Sequence, residues 1–136
     1  MKSYLLDTSA YSNLVRGHKK VANLVRSADE IYVSIFTIAE LEYGFACGSK
    51  RSENQMLLLR FLSSKKVKTL MPDHYTVSSF ASIGRKAKDS GVVLAHHDLW
   101  IASLAVQNNL TLMTFDKDFL NADTLKIKGY KVEFLV

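Results

Sequence analysis

Short apolar runs and helical periodicity alternate along the whole chain. Tyr4-Leu5-Leu6 reads as a short strand, Ala10 to Val15 as a helix stopped near Gly17, and Lys19 to Arg26 as a second helix. Ile31 to Phe36, made of β-branched and aromatic residues, predicts a strand. Ile38, Leu41 and Phe45, three and four apart, share one face of a helix that weakens at Gly44 and Gly48. Glu53 to Leu62 reads as helix and Val67 to Met71 as strand. Asp73 caps a helix carrying Val77, Phe80, Ile83 and Ala87, and a turn at Gly91 leads to the apolar run Val92-Val93-Leu94. Asp98 opens a helix with Ile101, Leu104 and Ala105 inward. Leu110 to Phe115 predicts a buried strand, and Tyr130 to Val136 a half-covered terminal one. Strands separated by helices call for right-handed crossovers and parallel pairing. The predicted class is therefore α/β, a mainly parallel sheet between two helical layers, with one domain over residues 1–136.

Four acids fall where such a sheet keeps its chemistry. Asp7 follows the first strand, Glu40 lies one turn into the helix after the second, Asp98 starts a helix, and Asp116 ends the Leu110 to Phe115 strand. If the strands are parallel, all four project toward the carboxyl edge of the sheet, where open α/β folds place ligands. Each also has a local reading. Thr37-Ile38-Ala39-Glu40 fits a capping box with Thr37 as the cap. Asp98 and Asp116 suit helix starts, where acids are electrostatically favoured. Asp7 has no evident helix-propensity reason to follow an apolar strand. Separate caps account for three of the acids singly, but not for their common edge.

Composition narrows the chemistry. In 136 residues, 18 Lys and Arg against 13 Asp and Glu leave a net charge of +5, which suits a polyanionic partner. The basic residues are dispersed, however, and dispersed charge is the ordinary state of a solvated surface. Cys47 stands alone, which excludes a disulfide framework and a cysteine zinc site. No apolar run approaches the ~20 residues of a membrane-spanning helix, and an acid at position 7 comes too early for a secretory signal. A reducing, cytoplasmic setting is expected. The glycines form no phosphate-binding loop.

Two carboxylates ~5 Å apart repel by about 3 kcal/mol at an effective dielectric near 20, so a cluster of them must gain protons or bind a cation. Oxygen ligands without cysteine favour a hard ion, Mg²⁺ or Mn²⁺. Such an ion activates water and offsets charge developing on phosphorus, which joins an acidic site to a basic exterior through phosphodiester hydrolysis.

At these residues the chain resembles the PIN-domain ribonucleases, specifically the VapC toxins of prokaryotic toxin–antitoxin pairs. The likeness is carried by four blocks in order: Leu6-Asp7-Thr8-Ser9, then Ser34 to Leu41 followed by Gly44, then Asp98-Leu99-Trp100-Ile101-Ala102, then Leu112 to Phe119. The resemblance implies a PIN-like three-layer α/β/α sandwich. It maps Asp7, Glu40, Asp98 and Asp116 onto the family's metal-binding acids, with Thr8 and Thr114 as hydroxyls holding carboxylates in place. Asp118 is the ambiguous acid, read first as a helix cap and second as a metal contact. Relatives often carry Asn before the third acid, where this chain has His97, preceded by His96; either could reach the pocket, touch substrate phosphate or tune Asp98, with helix capping or a solvent-facing position as the plainer reading. The resemblance further implies a homodimer, internal cleavage of a structured transfer or ribosomal RNA, and neutralisation by a cognate VapB-type antitoxin. Ile38, Leu41 and Phe45, or Met56 to Leu59 with Phe61 and Leu62, offer an apolar partner groove, with plain core packing as the alternative. Arg16, Lys50, Arg51 and Arg85 are candidate contacts to the nucleic-acid backbone. Rival readings are a nuclease acting on single-stranded DNA, a non-catalytic binding module on the same fold, and an aspartyl phosphotransfer protein. The last is disfavoured by Ser9, which stands where a phosphatase needs a second acid.

Overall fold

Tyr4, Leu5 and Leu6 alternate between opposite faces of one strand, and Leu5 and Leu6 are both wholly buried. A strand covered on both faces belongs in the middle of a parallel sheet. The computed structural model describes residues 1–136 and places this strand, β1 (Ser3–Leu6), at the centre of a five-stranded sheet. The others are β2 (Glu30–Ser34), β3 (Val67–Leu70), β4 (Thr111–Thr114) and β5 (Lys131–Phe134). Their order is β3-β2-β1-β4-β5, and every pairing is parallel.

The crossovers are α1 (Thr8–Val15), α2 (Lys19–Ser27), α3 (Ile35–Cys47), α4 (Arg51–Leu62), α5 (His74–Asp89), α6 (His96–Gln107) and α7 (Lys117–Ala122). On one face, Tyr4, Leu6, Ile31, Val33 and Met113 pack with Ala10 of α1 and Val21 of α2, flanked by Phe61 and Leu62 of α4. On the other, Leu5 and Leu112 pack with Ile101, Ala102, Leu104 and Ala105 of α6 and with Phe119 of α7. The architecture is thus the expected three-layer α/β/α sandwich.

Several boundaries and caps differ from the sequence expectation. The strand predicted over Ile31 to Phe36 stops at Ser34, because the Ser34 hydroxyl accepts from Thr37 N at 3.1 Å and starts α3 there. Ile35 and Phe36 look like strand continuation by composition but form the first helical turn. Thr37 is accordingly not the cap, and Glu40 is released from any capping box. Asp98 does not open its helix, which begins at His96 after Ala95; Asp98 sits in the first turn. Asp7 does have a helical reason for its position, since it is the cap of α1. Val92-Val93-Leu94 pairs with no strand. The Asp73 cap stands, with Thr76 returning the bond to the Asp73 backbone.

One surface cation has a defined structural job. Lys66 Nζ donates to the carbonyls of Val25, Arg26 and Ala28, at 2.5, 3.1 and 3.3 Å. These carbonyls lie at the carboxyl end of α2, where intrahelical partners run out and the helix dipole favours positive charge; Val25 O also accepts from Ala28 N at 3.3 Å. Lys66→Met should keep the apolar stem and lose these bonds, lowering stability by about 1–2 kcal/mol. Urea unfolding reads this as a lower midpoint at constant slope; an unchanged midpoint would show that water replaces the ammonium without loss.

Candidate metal centre

Parallel register puts the first acid beside its partners. Leu6 stands opposite both Val33 and Met113, so Asp7, Ser34 and Thr114 leave the sheet level with one another at its carboxyl edge. Asp7 caps α1, its Oδ1 accepting from Ala10 N at 2.9 Å and from the Ser9 hydroxyl at 2.7 Å. The Thr114 hydroxyl donates to Asp7 Oδ2 at 2.5 Å and accepts from Asp116 N at 2.9 Å. Ser9 Oγ accepts from Phe115 N at 2.9 Å. Two hydroxyls therefore tie the ends of β1 and β4 together around one buried carboxylate.

Asp116 caps α7 by accepting from Asp118 N at 2.9 Å. The cap on α7 is thus Asp116 and not Asp118. The Asp118 carboxylate instead joins Asp98 and Asp116, with one oxygen from each lying within 4.8 Å of the others. Three like charges at that spacing repel by about 3 kcal/mol per pair at an effective dielectric near 20. Glu40 comes in from the second turn of α3, and its Oε2 lies 3.1 Å from His97 Nε2 on α6.

These residues line one cleft of about 240 Å³: Asp7, Thr8, Ser9, Glu40, His97, Asp98 and Asp116, together with Ile101 and Phe119. The four acids singled out in the sequence all face it. Thr8 Oγ1 is buried there without a hydrogen-bond partner, so it does not steady a carboxylate; Thr114 does. Ser9 was not foreseen as part of the site, whereas Asp118 takes the less favoured of its two sequence readings, beside the other acids, and His97 is the one of the two histidines that lines the cleft. The signal for Ser9 was its place two residues after a strand-ending Asp, where a hydroxyl folds back onto the cap. His96 is exposed and sets its ring edge against Phe80, with centroids 5.7 Å apart. Arg16, Lys50, Arg51 and Arg85 all lie outside the cleft. Arg85 pairs with Asp89 at 2.9 Å on the exposed side of α5, and Arg16 lines a separate groove.

Electrostatics mark the cleft as short of positive charge. Burial pushes the Asp98 carboxyl up to about 6; Asp116, Asp118 and Asp7 push the same way, and His97 opposes them. Asp7 is also raised, by burial first, against the hydrogen bonds from Thr114, Ala10 and Ser9. The donors are carboxylates and hydroxyls with no sulfur, and a buried hydroxyl lacks a partner. That set fits a hard divalent cation.

The sign for pH follows from Asp98. Between about pH 4 and 6 the folded protein keeps a proton that the unfolded chain has released. Its contribution to stability is therefore greatest below about pH 4 and falls as pH rises through about 6. Melting curves in chelator should show the wild type losing stability relative to Asp98→Asn over this window, with a constant difference above it. A pH-independent difference would place the Asp98 pKa at its ordinary value.

The sequence model of the PIN domain family matches residues 4–125. Ribonuclease VapC2 of Rickettsia felis is 26% identical over 132 residues, covering 93% of this chain and 97% of its own length. Ribonuclease VapC5 of Mycobacterium tuberculosis is 27% identical over 119 residues, covering 88% and 87%. Among solved structures, VapBC2 of Rickettsia felis bound to a DNA fragment from its promoter superposes with a TM-score of 0.84 at 23% identity, covering 98% of this chain and 99% of that one. FitAcB of Neisseria gonorrhoeae superposes at 0.75 with 29% identity, covering 97% and 96%. The parallel sheet, the acids gathered at its carboxyl edge and a family match running from β1 past α7 agree, and the chain belongs to the PIN domain family.

Proposed function

We propose that this chain is a divalent-metal-dependent endoribonuclease of the VapC kind, a toxin restrained by a VapB-type antitoxin. The observation that carries the reading is the shared cleft of Asp7, Glu40, Asp98 and Asp116. Asp7, Asp98 and Asp116 would hold Mg²⁺ or Mn²⁺, with Glu40 and Asp118 at hand on neighbouring turns. Such an ion, when bound, supplies Lewis-acid activation of water and neutralises charge on phosphate. The protein's own part is positioning. Thr114 and Ser9 fix both oxygens of Asp7, the Asp116 cap holds the start of α7 beside it, and Glu40 is placed to orient an attacking water. The acids also discourage a phosphodiester from settling in the cleft unless a cation accompanies it.

The partner reading rests on a second feature. Tyr11, Val15, Leu41, Phe45 and Leu57 form a groove between α1, α3 and α4, with Arg16 at its side. Leu41 is buried there, whereas Leu57 is partly exposed and the neighbouring Met56 and Leu59 stand largely open. An antitoxin segment is proposed to lie along it, as relatives in the VapC group were solved as VapBC complexes. A homodimer and a structured transfer or ribosomal RNA substrate belong to the same reading. Lys50 and Arg51, at the start of α4, and Arg85, on α5, are proposed to meet the RNA backbone outside the cleft.

The test is incubation of purified protein with total RNA and with single-stranded DNA, in Mg²⁺, Mn²⁺ or chelator. The expected result is a discrete set of RNA ends in either metal, none in chelator, and intact DNA. Cleavage that persists in chelator, or no cleavage in either metal, would overturn the reading.

A further inference from the structure

Glu40 enters the cleft on a long side chain that is nearly half exposed. The one ion-pair partner of its carboxylate is His97, whose Nε2 lies 3.1 Å from Oε2. A glutamate free to rotate loses considerable entropy on being fixed, so without a partner it spends much of its time turned to water. His97 is only one-third exposed, and its Nε2 is shielded from solvent. The angles at Nε2 fall outside those of a hydrogen bond, and the atom makes no other. A small rotation of either side chain aligns the pair.

The two helices that carry this pair are braced one turn away. Phe36 precedes Glu40 by one turn of α3, and Trp100 follows His97 by one turn of α6. Their rings stack with centroids 5.4 Å apart and planes within 15°. Phe80 of α5 lies against Trp100 at 4.4 Å. This aromatic stack sets the spacing of α3 and α6 beside the cleft, so the imidazole meets Glu40 at a distance fixed by packing.

We infer that His97 is a positioning residue, which donates from Nε2 to Glu40 and holds that carboxylate in the cleft toward a bound divalent ion. The inference rests on the metal-dependent reading above. One helical turn then serves twice: α6 delivers Asp98 as an oxygen donor and, through the preceding residue, secures the donor carried by α3.

The test is Mn²⁺ binding to the whole protein by calorimetry at neutral pH, without RNA, backed by RNA cleavage against Mn²⁺ concentration. His97→Ala should weaken Mn²⁺ binding about tenfold, as losses of groups that orient metal ligands do. Glu40→Gln should weaken it comparably, and adding His97→Ala to Glu40→Gln should cost little more. His97→Gln, whose amide retains a donor of similar reach, should recover most of the loss. The half-saturating Mn²⁺ for cleavage should rise in His97→Ala while KM for RNA stays constant. Circular dichroism melts confirm that each variant folds. Unchanged binding in His97→Ala, or a full further loss in the double variant, overturns the positioning role. Should His97→Ala alone fail to fold, the His97→Gln and Glu40→Gln titrations decide: weakening by Glu40→Gln with retention in His97→Gln supports the role, and any other pattern overturns it. If the wild type binds no Mn²⁺, both readings fall; if the binding pattern holds and RNA stays intact, only the nuclease reading falls.

Discussion

Asp98→Asn is expected to lower RNA cleavage at least about a hundredfold while making the metal-free protein more stable. Groups that merely orient metal ligands cost up to about a hundredfold when removed, so loss of a direct oxygen donor should cost no less. The opposite sign for stability comes from the same geometry. Asp98 is half-buried and faces Asp116, Asp118 and Asp7, which is why its pKa is lifted to about 6. At full weight that lift corresponds to about 3 kcal/mol of unfavourable ionisation. Solvent screening of a half-exposed carboxylate reduces it to about 1 kcal/mol. Paired measurements of cleavage rate and melting temperature in chelator decide the matter. A variant that keeps its activity, or that loses both activity and stability, would remove Asp98 from the metal-binding role.

Thr114→Val is expected to lower stability by about 3 kcal/mol and to weaken divalent-ion binding, although the substitution preserves shape. Thr114 is wholly buried, and its hydroxyl is engaged on both sides, donating to Asp7 Oδ2 and accepting from Asp116 N. Valine leaves a buried carboxylate oxygen and a backbone N–H without that partner, and each orphan costs about 1–3 kcal/mol. The hydrogen bond also holds the Asp7 pKa down against burial, so its loss raises that pKa further. A more readily protonated Asp7 competes with cations for its own oxygens, and Mn²⁺ affinity should fall most on the acid side of neutrality. Thr114→Ser, which restores the hydroxyl, should recover ion binding and part of the stability. If Thr114→Val melts with the wild type, the hydroxyl bridge between β4 and α1 contributes nothing to the fold.

Local pattern made most of the secondary structure legible. The apolar doublet Leu5-Leu6, the β-branched run from Ile31 to Val33 and the buried run from Leu112 to Thr114 declare strands wherever they occur, because period and burial act over neighbouring residues. The errors cluster where two elements abut without a loop. Ser34 ends β2 and caps α3 in one residue, so Ile35 and Phe36 carried strand-like composition into a helix. The Val92 to Leu94 run has strand composition but pairs with no strand; it links α5 to α6, and Leu94 packs against the core that Leu5 and Leu112 share with α6.

The four acids were legible as candidates because parallel topology sends every strand end to one edge. Their division of labour was not. Asp7 and Asp116 serve as helix caps and also as cleft residues, so the local and functional readings of an acid are compatible. Asp118 looked like a cap because it lies one residue past the helix start. Which of two neighbouring acids takes the backbone N–H depends on chain geometry at the end of β4.

The sequence alone determined the α/β class, the alternation that buries β1 on both faces, and the presence of carboxylates after successive strands. These follow from side-chain chemistry within a few residues. Only the tertiary structure decided that Leu6 aligns with both Val33 and Met113, that Thr114 reaches Asp7 across more than a hundred residues, and that His97 meets Glu40. Strand register and the spacing of α3 from α6 are set by how the two cores close around the sheet. The reach of a side chain across a cleft is therefore a property of the packed molecule.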